Sequence, residues 1–129
     1  MSLLTAIRDH LISQAVVDSD AWKAYIGWTP DTQDQVISLT PAGGFPQDTH
    51  EGENALGSFQ VRVRAGKLDY AVGESKWWDV FDALQGADLS ASPDFIFMIA
   101  AENSEPIYYV DEKQRSCFTL NCRTVRAKP

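Results

Sequence analysis

The sequence has little of what enzyme and metal chemistry draws on: two histidines and two cysteines in 129 residues. A hydrolytic triad needs a nucleophile, a base and an orienting acid that converge. Here His10 falls in an amphipathic opening segment, His50 falls in a glycine-rich stretch, and there is no Gly-x-Ser-x-Gly. Zinc sites want Cys and His at short, repeated spacing, which Cys117 and Cys122 do not supply. The acids Asp48, Glu51 and Glu53 do not follow the ligand order of an EF-hand loop. Gly43-Gly44-Phe45 lacks the Gly-Lys-Ser/Thr ending of a phosphate-binding loop. The sequence therefore nominates no catalytic, metal or cofactor-binding residue, and the chain is expected not to be an enzyme.

Long apolar runs are missing too. None approaches the ~20 residues needed to cross a bilayer, so no membrane partner is expected. The first ten residues acquire charge too early for a signal peptide, which makes a cytoplasmic chain the expectation. Cys117 and Cys122 lie in one predicted strand. Their odd spacing puts them on opposite faces, ~16 Å apart at ~3.3 Å per residue, beyond the ~7 Å that a disulfide tolerates. Two buried or half-buried thiols are expected.

Charge of one sign is scarce in the first half. Residues 1–58 carry eight acids against Arg8 and Lys23, leaving −6 of the total −7, while residues 59–129 carry ten acids and nine bases. From Lys113 onward there are five bases and no acid. Phosphate affinity depends on clustered Lys and Arg, so an acidic chain should not hold DNA by itself. The asymmetry would let one face of a copy meet a different face of the next.

What is present is periodic. Residues 2–16 read as an amphipathic helix capped by Ser2, with Leu4, Ile7, Leu11 and Ala15 on one side. Residues 24–29 make a short strand, and 36–40 a clearer one ended by Pro41. Residues 41–58, with four glycines and two prolines, read as a long flexible loop. Phe59, Val61, Val63 and Ala65 alternate with Gln60, Arg62 and Arg64, a half-buried strand. A second helix runs from a cap at Asp69 to Gln85 and stops at Gly86. Its inner side carries Tyr70, Trp77, Val80, Phe81 and Leu84, and Trp78 lies about 100° away from Trp77. Residues 95–101, apolar on both faces, suit a central strand. Residues 107–110 return antiparallel after a turn, and 116–125 form the last strand. The sum is a single α+β domain over 1–129, a mostly antiparallel sheet of about five or six strands packed by two helices, in the order α-β-β-β-α-β-β-β.

Several features point to a protein interface. Arg62 and Arg64 project from one strand face, Asn121 and Arg123 from another strand, and Trp78 sits beside them or at a helix margin. Trp and Arg are enriched at interface hot spots. Phe45 and Leu56 are the only large apolar side chains in the loop.

In chain order these pieces resemble the tail-terminator (minor capsid) family of long-tailed phages. The matching segments are Ile37-Ser38-Leu39-Thr40-Pro41-Ala42-Gly43-Gly44, Phe59-Gln60-Val61-Arg62-Val63-Arg64, the helix from Tyr70 through Trp77 to Leu84, and Pro106 through Arg115 to Asn121, with an opening helix at Leu3–Val16. The long acidic loop departs from the pattern. The resemblance implies a hexameric ring at the head-proximal end of the tail tube that ends tube polymerisation and joins tail to head. Its partners would be other copies of itself, the tail tube protein and the head–tail connector protein, with DNA passing through without specific binding. It implies a virion tail protein assembled in the bacterial host cytoplasm, with no cofactor. The residues expected at its contacts are Gly43, Gly44, Phe45, Leu56, Arg62, Arg64, Trp78, Arg115 and Arg123. Two alternatives stay open: a head-completion or connector-adaptor protein, and a small α+β enzyme or ligand-binding domain.

Overall fold

Alternation in two long strands organises the molecule. A computed structural model describes residues 3–17, 22–42, 54–88 and 96–127. The elements are α1 (Leu3–Ser13), β1 (Lys23–Ile26), β2 (Val36–Pro41), β3 (Asn54–Lys67), α2 (Tyr70–Leu84), β4 (Ile96–Ala101), β5 (Ile107–Val110) and β6 (Arg115–Ala127). They form an α+β fold with one mixed sheet in the order β1-β2-β3-β6-β4, and β5 also pairs with β6. All pairings are antiparallel except β1 with β2, which is parallel.

One sheet face is apolar because every second residue of three adjacent strands is apolar. Ile37, Val63 and Phe118 line up across the sheet, as do Leu39, Val61 and Leu120. Onto this face α2 lays Trp77, Val80 and Leu84, and α1 lays Ile7 and Leu11, all fully buried. The indole N–H of Trp77 donates to the carbonyl of Thr119 (3.0 Å), so the largest core side chain leaves no donor unpaired. Helix α2 can come this close because Gly73 faces Phe118. A Cβ there would press on Phe118 Cε1 well inside contact distance, 2.9 Å from Cδ1, with Ala65 Cβ at 3.0 Å.

Several expectations need correction. The sheet strand at 59–65 is longer, starting at Asn54, because β6 runs on to Ala127 and supplies partners down to Asn54↔Ala127. Residues 54–58 are thus strand rather than loop, Pro41 belongs to β2, and 43–53 lie outside the described residues. The central strand is β6, not β4. Strand β4 is an edge strand whose outer side is closed by the chain after α2: Gly86 N–H donates to Ile99 O (2.9 Å), Ile99 N–H to Ala87 O (3.0 Å) and Ala101 N–H to Gln85 Oε1 (2.7 Å). That cover explains an apolar run in which Ile99 is buried while Met98 is 53% exposed.

Strand β5 does not return against β4. Both lie end to end along the same side of β6, with Ala101 opposite Cys122 and Ile107 opposite Thr119. The extra residues between them form a bulge that Asn103 bridges. Its Oδ1 accepts from Asn121 N–H (2.8 Å) and its Nδ2 donates to Glu105 O (2.7 Å) and Thr119 O (3.2 Å). Asp69 makes no side-chain cap to α2. Tyr70 is 45% exposed rather than inward, with its ring edge-on to Phe118 and Tyr108.

Helix α1 stops at Ser13 instead of continuing to 16. Val16 N–H donates to Leu11 O and Ala15 N–H to Ile12 O, both at 3.0 Å, which is a Schellman ending with Ala15 in the left-handed position at φ 60. Alanine is strained there and glycine is not. Ala15→Gly should raise stability by about 0.5–1 kcal/mol, the relief being partly offset by the freer unfolded chain. Gly73→Ala should lower it by about 1–3 kcal/mol through overpacking on Phe118. Chemical denaturation of the two variants checks both signs, and a neutral Gly73→Ala would mean that α2 can shift outward.

Candidate interaction surface on the open sheet face

The opposite face of the sheet carries neither of the described helices. Alternation delivers Arg62 and Arg64 of β3 to this face, and the register places them across from Thr119 and Cys117 of β6. Farther along, Gln60 Nε2 donates to Asn121 Oδ1 (3.1 Å) as a cross-strand pair. Arg123, two residues on, is exposed.

Part of the face is covered, and parallel pairing is the cause. Because β1 and β2 run the same way, the chain between them must travel back along the sheet, and residues 27–35 make that crossover. Gly27 opens it at φ 81, with its N–H on Leu39 O (2.9 Å). The segment lies on the arginines. Arg64 is only 6% exposed. Its Nη2 donates to Pro30 O and Gln33 O, both at 2.6 Å, and its Nε to Asp34 O at 3.4 Å. Arg115 fastens the same segment from the β6 side. Its Nη1 donates to Asp31 O (3.1 Å), its Nη2 to Asp31 Oδ1 (2.9 Å) and its Nε to Asp111 Oδ2 (2.8 Å). Lys113 adds a second ion pair to Asp31. Asp111 in turn folds the β5–β6 turn, accepting the backbone N–H groups of Lys113 (3.0 Å) and Arg115 (2.9 Å) on Oδ1.

The two buried arginines differ in their company. Arg115 has carboxylates, and although burial opposes its charge, the bonds to Asp111 and Asp31 hold its pKa above the ordinary value. Arg64 has only carbonyls. Burial, reinforced by the nearby Arg115 charge, pushes its pKa down. Lys113 and Arg115, as hydrogen-bonding partners, hold the Asp31 carboxyl below the usual range. At Asp111 burial works the other way, and the Arg115 N–H and guanidinium outweigh it to lower the pKa. Arg62 is half-buried and reaches sideways, Nη1 to the Tyr109 hydroxyl (2.9 Å) and Nη2 to Thr29 Oγ1 (3.5 Å). These residues border an open pocket of about 250 Å³.

The sequence-expected contact residues divide accordingly. Arg62 and Arg64 share the pocket with Arg115. Arg64 and Arg115 spend most of their donors inside the chain and leave Arg62 and Arg123 accessible. Trp78 is not beside them. It lies at the margin of α2 on the other side of the sheet, 38% exposed and edge-on to Trp77 and Phe81. Leu56 sits in β3 opposite Val125. Gly43, Gly44 and Phe45 lie outside the described residues. Sequence reasoning missed Asp31, Tyr109 and Asp111. Only Asp111 left a signal, as an acid four residues before Arg115 across a tight turn.

Of the other candidates for chemistry, His50 lies outside the described residues. His10 Nε2 bonds Ala83 O (2.8 Å) and ties α1 to α2. Cys117 and Cys122 are buried on opposite faces, across from Arg64 and Phe59. Burial raises the thiol pKa of both, that of Cys122 to about 12. Among the described residues, no group of three or more His, Cys, Asp and Glu is placed to hold a metal. Nor is any described helix long and apolar enough to cross a membrane.

Residues 10–127 match the family model described as bacteriophage tail terminator protein, and the chain belongs to that family. Its fold is shared with a chain of the virion of a native gene transfer agent particle, at a TM-score of 0.77 and 20% identity, covering 98% of this chain and 96% of that one. A curated protein, the HTH-type transcriptional repressor PurR of Aliivibrio salmonicida (strain LFI1238), is 24% identical over 123 residues, covering 89% of this chain. The match takes in 36% of the repressor, so this chain spans about a third of its length. A helix-turn-helix needs consecutive helices, whereas α1 and α2 are separated by three strands. Family membership makes this a structural protein of phage-like virion assembly.

The Asp111 carboxylate gives a pH test. Its folded pKa is lowered, so its contribution is present above the unfolded carboxylate value and is lost as pH falls from about 4 through the folded pKa. The melting temperature of the wild type should exceed that of Asp111→Asn near pH 6. The gap should narrow as pH falls below about 4 and close once it is below the folded pKa. A gap of constant size would show that the charge of Asp111 does not hold the turn.

Proposed function

We propose that the protein is the terminator of a phage-type tail: a ring of identical copies, hexameric, that caps the head-proximal end of the tail tube. There it stops the tube protein from polymerising further and presents a docking surface to the head–tail connector protein. The family match over 10–127 carries this reading. Two structural features support it. The described residues present two different surfaces, the half-covered polar sheet face and the outward side of α2, and a head-to-tail ring requires two unlike patches on each subunit. Among the described residues, nothing pairs with the outer edge of β5, whose four residues are all exposed. The net charge of −7 lets the ring stand around DNA without gripping it. Subunits fold and assemble in the bacterial host cytoplasm before joining the virion.

The test is a tail-assembly complementation with electron microscopy. Particles made without this protein should show overlong tubes or tails that fail to join heads, and supplying it should restore tails of uniform length. The purified chain, alone or with tube protein, should give closed rings of one size. Normal, joined tails in its absence would overturn the proposal.

A further inference from the structure

The pocket on the open sheet face holds an imbalance that its own residues do not resolve. Arg62, Arg64, Lys113 and Arg115 stand against Asp31, Asp111 and Glu112, four cations to three carboxylates. Asp31 and Asp111 are committed to Lys113 and Arg115. Among the described residues, no carboxylate lies within 4.0 Å of Arg62 or Arg64. Arg64 is more than nine-tenths buried, and its Nη1 has no acceptor there. A guanidinium out of water and without an anion is costly, and a carboxylate matches its fork of donors. An excess of one positive charge fits a single carboxylate. It does not fit a run of phosphates, which the surrounding acids would repel.

The complementary group stands on the other side of the same molecule. Gly73, Trp77, Val80 and Leu84 face the sheet, so the outward ridge of α2 carries Trp78 and Asp82, one turn apart. Trp78 is 38% exposed, and Asp82 is exposed with no cation within 4.0 Å among the described residues. Neighbouring Asp79 is held by Lys76 at 3.8 Å. Tryptophan is enriched at interface hot spots, and a carboxylate beside it suits the arginines of the sheet face. A helix laid on an uncovered sheet face also completes the layering that α/β packing favours.

We propose that the ridge of α2 in one copy packs on the open sheet face of the next, with Asp82 entering the pocket at Arg62 and Arg64 and Trp78 lying against the sheet alongside. The two patches differ, so the contact is head-to-tail and can close a ring. This rests on the ring reading above and specifies its subunit contact.

A charge swap tests it on the full chain, with native mass spectrometry and electron microscopy counting subunits in the presence of tube protein. Arg62→Glu and Asp82→Arg should each weaken ring formation about thirtyfold or more, and the double variant should recover most of the loss. Asp82 lies on an exposed helix surface, so Asp82→Arg reports on assembly even if Arg62→Glu disturbs the fold, which a melt would reveal. Wild-type rings that persist in either single variant, or a double variant no better than the singles, overturn this contact while leaving the ring intact. A wild type that stays monomeric throughout overturns contact and ring together. If Arg62→Glu removes binding to duplex DNA and leaves rings untouched, the face is a phosphate surface and the pairing is wrong.

Discussion

Two guanidinium groups laid under one backbone segment set the character of this molecule. The parallel pairing of β1 with β2 sends residues 27–35 over a sheet face that no described helix covers. A segment of nine residues without secondary structure has backbone carbonyls to satisfy and little apolar area to bury. Arg64 takes up the carbonyls of Pro30, Gln33 and Asp34, and Arg115 takes that of Asp31. Both arginines are delivered by strand alternation on the two central strands, so the sheet's register and the position of the crossover are one constraint. A lysine could not replace Arg64, since a point charge with three rotatable donors does not reproduce a planar fork aimed at separate carbonyls.

The same logic explains how the edges are managed. An open strand edge invites pairing with any passing chain. On β4 that risk is removed by residues 85–87, whose backbone and side chain close the edge right after α2 ends. Between β4 and β5 it is removed by Asn103, which imitates a strand with its side-chain amide. Strand β5 is left open, yet it is only four residues long and is flanked by Glu105 and Asp111. Short length and nearby charge are the usual protection for an edge that cannot be covered.

How far this was legible in the sequence follows from the range of each interaction. The alternation at 59–65 and the 3.6-residue repeat of Trp77, Val80 and Leu84 depend on neighbours in the chain, and both elements appear where the pattern puts them. The opposite placement of Cys117 and Cys122 follows from parity alone. The direction of β1 against β2 depends on how the crossover packs, which no local pattern encodes. An apolar run such as 96–101 has the same appearance in a central strand as in an edge strand capped by another segment, and the cover at 85–87 decides between them. At the candidate surface, Arg62 and Arg123 were visible as polar positions of half-buried strands. The inward roles of Arg64 and Arg115 were not, because the backbone carbonyls that accept from them lie 30 to 84 residues away in sequence.

A structural protein of this size must also remain soluble as a free subunit before it assembles. An apolar open face would bind the wrong partners as readily as the right one, since burial of greasy surface is non-directional. The face is instead built of arginines, amides and hydroxyls, whose pairing is directional and whose long-range attraction is screened within about 8 Å at physiological salt. Among the described residues, exposed apolar surface lies on scattered residues such as Trp28, Leu68 and Trp78 and along the short strand β5. A neighbour that withdraws Trp78 from water must also satisfy the carboxylate beside it. Under the proposed contact that requirement is met by one surface in the molecule, the pocket in which Arg64 already lacks an anion. Specificity then comes from the cost of every other arrangement: a buried charge unpaired on one side and an exposed tryptophan on the other.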